Sequence, residues 1–261
     1  MEATEPNYTI TALDRAFDIL QALAEHPGAS LTELARITGY TNSLVFRMIH
    51  TMEKRGFVEK NIDGGSYTLG YQPLFLSASA EDQIPLLQYA RQFVEELSDR
   101  TDQSVNLMVR ESLHHLTVLS KDPTDPKHLY ARPGRRGPLY IGGAPKVLLA
   151  FAPANIQSAV LTRPMYSPIN NTILDPADIA KQLEMIRITG YNESRGELDI
   201  DGFSFAAVIY RRDGSAVAAV SLAGRAGEID PKSRDFYRDG VMDAAKRISE
   251  RLGWSKWRNV A

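Results

Sequence analysis

Between residues 11 and 55 the apolar positions return every third or fourth residue, the spacing of a helix face. Leu13, Ala16, Phe17, Leu20, Leu23 and Ala24 form a first stripe over 11–25, which Pro27-Gly28 ends. Ser30 followed by Glu33 has the form of a capping box. It opens a short helix that turns Leu31, Leu34 and Ala35 inward and stops at Gly39. Thr41 or Asn42 caps a third helix running to about Arg55, with Val45, Met48, Ile49 and Met52 as its buried stripe. The period then changes from helical to twofold. Segments 57–61 and 66–69 alternate around Asp63-Gly64-Gly65, which is hairpin-turn chemistry. Helix, helix–tight turn–helix and hairpin is the winged helix-turn-helix layout.

Residues 71–85 read as a partly helical linker interrupted by Pro73 and Pro85. From Leu86 an amphipathic helix places Leu86, Ala90, Phe93, Val94 and Leu97 on one face. Strand-like runs follow at 104–110 and 116–120, then a loop rich in Pro and Asp, then a run at 127–132. The pattern predicts helices over about 144–151, 155–161 and 176–189, and strands over 203–210 and 216–222 around Arg212-Asp213-Gly214. A last helix covers roughly 231–252. Strands flanked by helices give an α+β second domain. The expected division is 1–70 for the winged helix-turn-helix, 71–85 for the linker and 86–261 for the second domain.

The 261 residues hold 30 Lys and Arg against 32 Asp and Glu, so no global field draws the chain to nucleic acid. DNA binding therefore has to rest on local placement. The third helix supplies it. Ser43, Arg47, His50 and Lys54 oppose Val45, Met48 and Met52, with Asn42 and Phe46 beside them. Such a face offers donors to base edges and phosphates, and Phe46 suits a thymine methyl. Thr41 at the helix start and Lys60 in the hairpin complete the candidate DNA contacts. The bland alternative is a solvated face of a three-helix bundle. Cys is absent, which excludes disulfides, Cys-based zinc sites and a thiol nucleophile. No run approaches about 18 consecutive apolar residues, so no membrane helix is expected. The early acidic residues and missing apolar core give no expectation of a secretory leader.

The segments TALDRAFDILQAL, LTELARITGYTNSLVFRMIHTMEKRGFVEK and GSYTLG resemble the DNA-binding domain of the isocitrate-lyase-regulator (IclR) family of bacterial transcriptional regulators. YARQFVEELSDRTDQSVNLMVR, GRRGPLYIGGAPKVLLA and TGYNESRGELDIDGFSFAAVIYRRDGSAVAAVSLAG resemble its second domain, so the likeness runs in family order from about residue 9 to 252. The resemblance implies an N-terminal winged helix-turn-helix joined by a linker helix to a GAF-like α/β effector-binding domain. It also implies a cytoplasmic homodimer assembling into a homotetramer, with double-stranded operator DNA and a small-molecule effector as partners. The chain departs from the family pattern at four positions. Asn42 stands where the recognition helix usually starts with Lys, and Phe46 where His or Tyr is frequent. Pro145 replaces a common Gly, and Ser204 falls where many members carry Cys.

Gly142-Gly143-Ala144-Pro145-Lys146 precedes an apolar helix, so its free backbone N–H groups suit a carboxylate. The spacing of a phosphate-binding P-loop is missing. The resemblance makes this turn one wall of a ligand pocket and the strands around Ser204 and Ser221 the other. The candidate effector contacts are Leu139, Ile141, Gly143, Ala144, Gly202, Ser204, Ser221 and Ala223. No Lys or Arg is expected inside; Arg135 and Arg136 fall at the mouth or brace a loop, and Glu197 and Asp199 are read as solvated loop carboxylates. An anion would then be held by dipoles and neutral donors. The expected effector is a small organic acid or related catabolic metabolite, with no metal and no cofactor. Ile19, Leu74, Phe75 and Leu76 are apolar beyond what one small bundle can bury, and are expected to pair across a dimer.

The rival class is a sensor-domain hydrolase using Ser204, because Gly202-Phe203-Ser204-Phe205-Ala206 is close to Gly-x-Ser-x-Gly. In that nucleophile elbow the base His follows the Ser in sequence. His26, His50, His114, His115 and His128 all precede Ser204, which also opens a β run. His114 and His115 are adjacent, so a strand points them to opposite faces and they cannot pair on a metal. No catalytic residue is expected.

Overall fold

The computed structural model describes residues 8–62, 64–123, 131–229 and 231–255. Asp63 of the predicted turn and most of the 127–132 run, His128 included, lie outside the described residues. The chain divides into two compact units, Met1–Gln83 and Ile84–Ala261.

In the first unit the order is α1 (Thr11–Glu25), β1 (Ala29–Ser30), α2 (Leu31–Thr38), α3 (Asn42–Lys54), β2 (Val58–Lys60), β3 (Ser66–Leu69) and α4 (Gln72–Gln83). The capping box forms as read. The Glu33 N–H donates to Ser30 Oγ at 3.3 Å and the Ser30 N–H to Glu33 Oε2 at 2.8 Å, a cap of about 1 kcal/mol. Ile19, Leu23, Leu34, Val45, Ile49 and Val58 build the core under an antiparallel sheet of order β1-β3-β2. The first helix is turned relative to its sequence stripe. Ile19, Ala22 and Leu23 are buried, whereas Leu13 and Phe17 are exposed, so only the C-terminal half of α1 is covered within the unit. Ile19, expected on an outer surface, is therefore core. Pro73 does not interrupt a helix either: it sits in the first turn of α4, where its missing N–H costs nothing.

The second unit runs α5 (Pro85–Thr101), β4 (Ser104–Glu111), β5 (His114–Lys121), β6 (Arg136–Pro138), α6 (Gly143–Ala150), α7 (Ala154–Leu161), α8 (Pro176–Thr189), β7 (Tyr191–Arg195), β8 (Gly202–Tyr210), β9 (Ala216–Arg225) and α9 (Pro231–Arg251). Its sheet is antiparallel throughout, in the order β6-β5-β4-β9-β8-β7. Alternation along β8 decides which helices cover which face. Phe203, Phe205 and Ala207 pack with Leu97 of α5 and Val241 and Ile248 of α9. Ala206 and Val208, on the other face, pack with Val147 of α6 and Ile179 and Leu183 of α8. The edge strands β6 and β7 escaped the sequence pattern, and Ala131 and Arg132 form no strand. Among the described residues no helix is long and apolar enough to cross a membrane. The architecture is α+β, a winged helix-turn-helix followed by a sheet with helices on both faces.

Candidate functional site

On α3 the side chains of Asn42, Ser43, Phe46, Arg47, His50 and Lys54 are exposed while Val45, Ile49 and Met52 are buried. Steps of four, three and four residues align Ser43, Arg47, His50 and Lys54 in one stripe. Phe46, 56% exposed, stacks on His50 one turn away with ring centroids 6.2 Å apart and planes within 8°. Thr41 caps the helix, its side chain accepting the Leu44 N–H at 3.4 Å. Lys60 is exposed on β2, level with Tyr67 of β3.

In the second unit a cavity of about 340 Å³ lies between the α6 face of the sheet and the turn at 141–145. Ile141, Gly143, Ala144, Gly202, Ser204, Ser221 and Ala223 line it. Leu139 does not; it is fully buried in the core shared with α6 and α8. The turn needs both its glycines. Gly142 has φ of 88°, and a Cβ on Gly143 would approach Ser204 Oγ to 2.6 Å.

Two N–H groups of this turn, which the sequence reading left free for a ligand, are engaged within the protein. Gly142 donates to Glu197 Oε2 at 2.9 Å and Gly143 donates to Ser204 Oγ at 3.0 Å. A carboxylate does sit where the helix N-terminus favours one, but it is the protein's own. The other oxygen of Glu197 accepts from Lys146 Nζ at 2.5 Å, and Lys146 also donates to Gln182 Oε1 at 2.7 Å. Lys146 is only 1% exposed. A carboxylate thus sits against the buried ammonium, and removing one partner of such a pair costs several kcal/mol. Asn192 Nδ2 adds a donation to the Gly143 carbonyl at 3.2 Å. Three side chains thus tie the turn to the β7–β8 region. Glu197 is accordingly no solvated loop carboxylate.

Arg135 and Arg136, both exposed, belong to the lining of the cavity, where the sequence reading set them at its mouth or bracing a loop. The Arg136 guanidinium is engaged by Glu111, with N···O distances of 2.5 and 3.2 Å, and this contact holds the Glu111 carboxyl below the usual carboxylate range. Sequence reasoning missed Asn106, His115 and Ser194, which also line the cavity. Asn106 of β4 lies opposite Ser221 of β9, and Ser194 of β7 opposite Ser204 of β8, so the sheet face under the turn is polar. His115 Nδ1 is 3.1 Å from the Pro138 carbonyl, which can only accept, so Nδ1 carries the proton. Burial pushes the His115 pKa down, which keeps the ring neutral at pH 7. The one legible signal for these residues was an Asn among apolar neighbours in 104–108. Its direction follows only from the pairing with β9.

Ser204 does not occupy a nucleophile elbow. It is the third residue of β8, inside a strand, with its hydroxyl used by the Gly143 N–H.

The sequence signature described as IclR helix-turn-helix domain matches residues 12–61, and that described as bacterial transcriptional regulator IclR C-terminal matches residues 78–250. The HTH-type transcriptional regulator KipR of Bacillus subtilis is 27% identical over 242 residues, covering 92% of this chain and 96% of that protein. The crystal structure of an IclR transcriptional regulator from Alicyclobacillus acidocaldarius superposes with a TM-score of 0.87 at 21% identity, over 94% of this chain and 100% of that one. An IclR homologue from Microbacterium hydrocarbonoxydans, solved in complex with 4-hydroxybenzoate, gives a TM-score of 0.81 at 22% identity, over 92% and 98% of the two chains.

Proposed function

Because the chain belongs to the IclR family of bacterial transcriptional regulators, we propose that it reads a pseudo-palindromic operator through α3 and the β2–β3 hairpin, and that a small organic acid in the second unit's cavity modulates this binding. The observation that carries the DNA half is the stripe of Ser43, Arg47, His50 and Lys54, exposed on a helix whose opposite side is packed into the core. A twofold dimer presents two such helices to half-sites about 34 Å apart, one helical turn.

The dimer reading draws on α4. None of its residues is buried, and Leu74, Phe75 and Leu76 are exposed, as are Leu13 and Phe17 of α1. Covering side chains of this kind stabilises by about 1.5–3 kcal/mol each. A second copy of the chain is the occupant we assign, in the cytoplasm, and the family resemblance extends the assembly to a tetramer. The effector acts through unequal affinity for two arrangements of that assembly, which changes operator affinity by the same coupling energy. The complex of the M. hydrocarbonoxydans homologue with 4-hydroxybenzoate supports an acid as the effector class. A regulator is favoured over a hydrolase because Ser204 lies within a strand and is engaged by the turn.

Fluorescence anisotropy on DNA from upstream of the chain's own gene and its neighbours tests this reading. The expected result is tight, salt-sensitive, sequence-specific binding that a metabolic acid alters. Equal affinity for unrelated DNA of the same length counts against it.

A further inference from the structure

Among the exposed side chains of α3, that of Phe46 alone carries no polar group. Asn42 and Ser43 lie one turn before it, His50 one turn after it, and Arg47 beside it, all with hydrogen-bonding groups. A singly exposed apolar side chain is ordinary on a protein surface. Two features set this ring apart. Phe46 is the fifth of the thirteen residues of α3, so it stands in the N-terminal half, the part of a recognition helix that meets base edges. Its orientation is also fixed in the free protein, because the ring lies parallel to that of His50, within 8° and with centroids 6.2 Å apart. A contact group held in place beforehand loses less freedom on binding.

The chemistry of the ring then limits what it can recognise. Phosphates, and base edges in the major groove, present donors and acceptors, with one exception, the C5 methyl group of thymine. A phenyl ring neither donates nor accepts, so it does not separate the O4 acceptor of thymine from the N4 donor of cytosine. Against a polar edge it would strip water and return no hydrogen bond, which is costly. Against a methyl group it gains apolar contact. The C5 position of cytosine points to the same place in the groove, and a methyl group added there offers the ring the same surface.

We propose that Phe46 reads the C5 methyl group of one pyrimidine in each half-site, whether that pyrimidine is thymine or 5-methylcytosine. This rests on the reading of α3 as the helix that enters the DNA. It adds which chemical group one side chain selects, and names uracil and unmodified cytosine as the rejected bases at that position. Methylation of a cytosine there becomes an input to the regulator that is separate from the effector cavity.

Duplexes selected by the full chain from a random pool supply the operator, and anisotropy on base-modified copies tests the proposal. Replacing thymine by uracil, one position at a time in both half-sites, should reveal a position that costs about fourfold per half-site and about fifteenfold across both, the scale of one methyl group withdrawn from apolar contact. At that same position a 5-methylcytosine–guanine pair should bind more tightly than a cytosine–guanine pair by a similar factor. Phe46→Ala, a change at an exposed site, should erase both methyl increments while still preferring the operator to random DNA. Tolerance of uracil at every position overturns the proposal, as does 5-methylcytosine that binds no better than cytosine, or an increment that survives in Phe46→Ala. In each of those cases a specific site has been found, so the reading of α3 stands. Light scattering that shows Phe46→Ala losing its assembly, as expected if a second copy of the chain covers the ring, also overturns it. A pool from which no sequence emerges removes the reading of α3, and the proposal with it.

Discussion

Glu197 neutralises the buried ammonium of Lys146, 2.5 Å away, while its second oxygen accepts the Gly142 N–H at 2.9 Å. One carboxylate thereby holds the charge under α6 and the turn that closes the cavity. Glu197→Leu is expected to lower the stability of the second unit by about 3 kcal/mol, the low end for a broken buried pair because the Glu197 side chain is 30% exposed. Adding Lys146→Met should recover most of the loss. Urea unfolding followed by tryptophan fluorescence measures both, since Trp254 stacks on Tyr210 at 5.4 Å. A Glu197→Leu protein as stable as the parent would show that the pair contributes nothing.

Arg47 and Lys54 share one exposed stripe of α3 but are expected to respond differently to truncation. Arg47, nearer the helix start, is placed to read a base edge, and Arg47→Ala should weaken operator binding by about 1–3 kcal/mol. Lys54, at the last turn, is placed to meet phosphate, and Lys54→Ala should reduce the salt slope by about one while leaving sequence preference intact. Anisotropy titrations across a salt series separate the two. Unchanged affinity in Arg47→Ala removes that residue from the interface.

The local elements were legible because they depend on neighbours a few residues apart. The stripe of Val45, Ile49 and Met52, the Ser30–Glu33 box and the apolar run of β8 each follow from local sequence alone. What the spacing could not give was depth. Leu13, Phe17 and Ile19 are all apolar on one helix, and only the packed unit decides that Ile19 is core. The pairing of Lys146 was not legible because its partner is 51 residues away in the chain. The edge strand β7 spells Tyr-Asn-Glu-Ser-Arg, too polar to announce a strand, yet its register with β8 is what brings Ser194 to the cavity. Asn106 was hidden for the same reason. The chemistry of the site comes from pairings between distant strands, and a single sequence does not display them.

His115 gives the second unit a definite pH response. Burial sets its folded pKa below the unfolded value of about 6.5, helped by the nearby charges of Arg135 and His114. Between those two values the unfolded chain binds more protons. Stability is therefore fully present above about pH 6.5 and is lost as the pH falls through the folded value. Thermal unfolding from about pH 8 to 5 should show that loss in the parent and a flatter profile in His115→Gln. Parallel profiles would remove His115 as the titrating group.

Ser204 and Ser221 both line the cavity, but only Ser204 is built into the turn. Ser221→Val is expected to weaken an acid effector by about 1–2 kcal/mol with little change in stability. Ser204→Val also strips the Gly143 N–H of its acceptor, so it should lower stability by about 1–3 kcal/mol as well. Calorimetry on the effector and thermal unfolding of the free chain distinguish the two effects. Two valine variants that bind as tightly as the parent would place the effector elsewhere.

Sequence-specific recognition of DNA by α3 is the claim on which the rest depends, and selection of duplexes from a random pool by the full chain tests it without knowledge of the operator. The expected result is rapid enrichment of an inverted repeat with half-sites one helical turn apart, at an affinity about a thousandfold or more above that for the starting pool. The same selection with Arg47→Ala should lose the preference at the base pair Arg47 reads. A pool that remains random after repeated rounds, with binding that depends on salt alone, would contradict it.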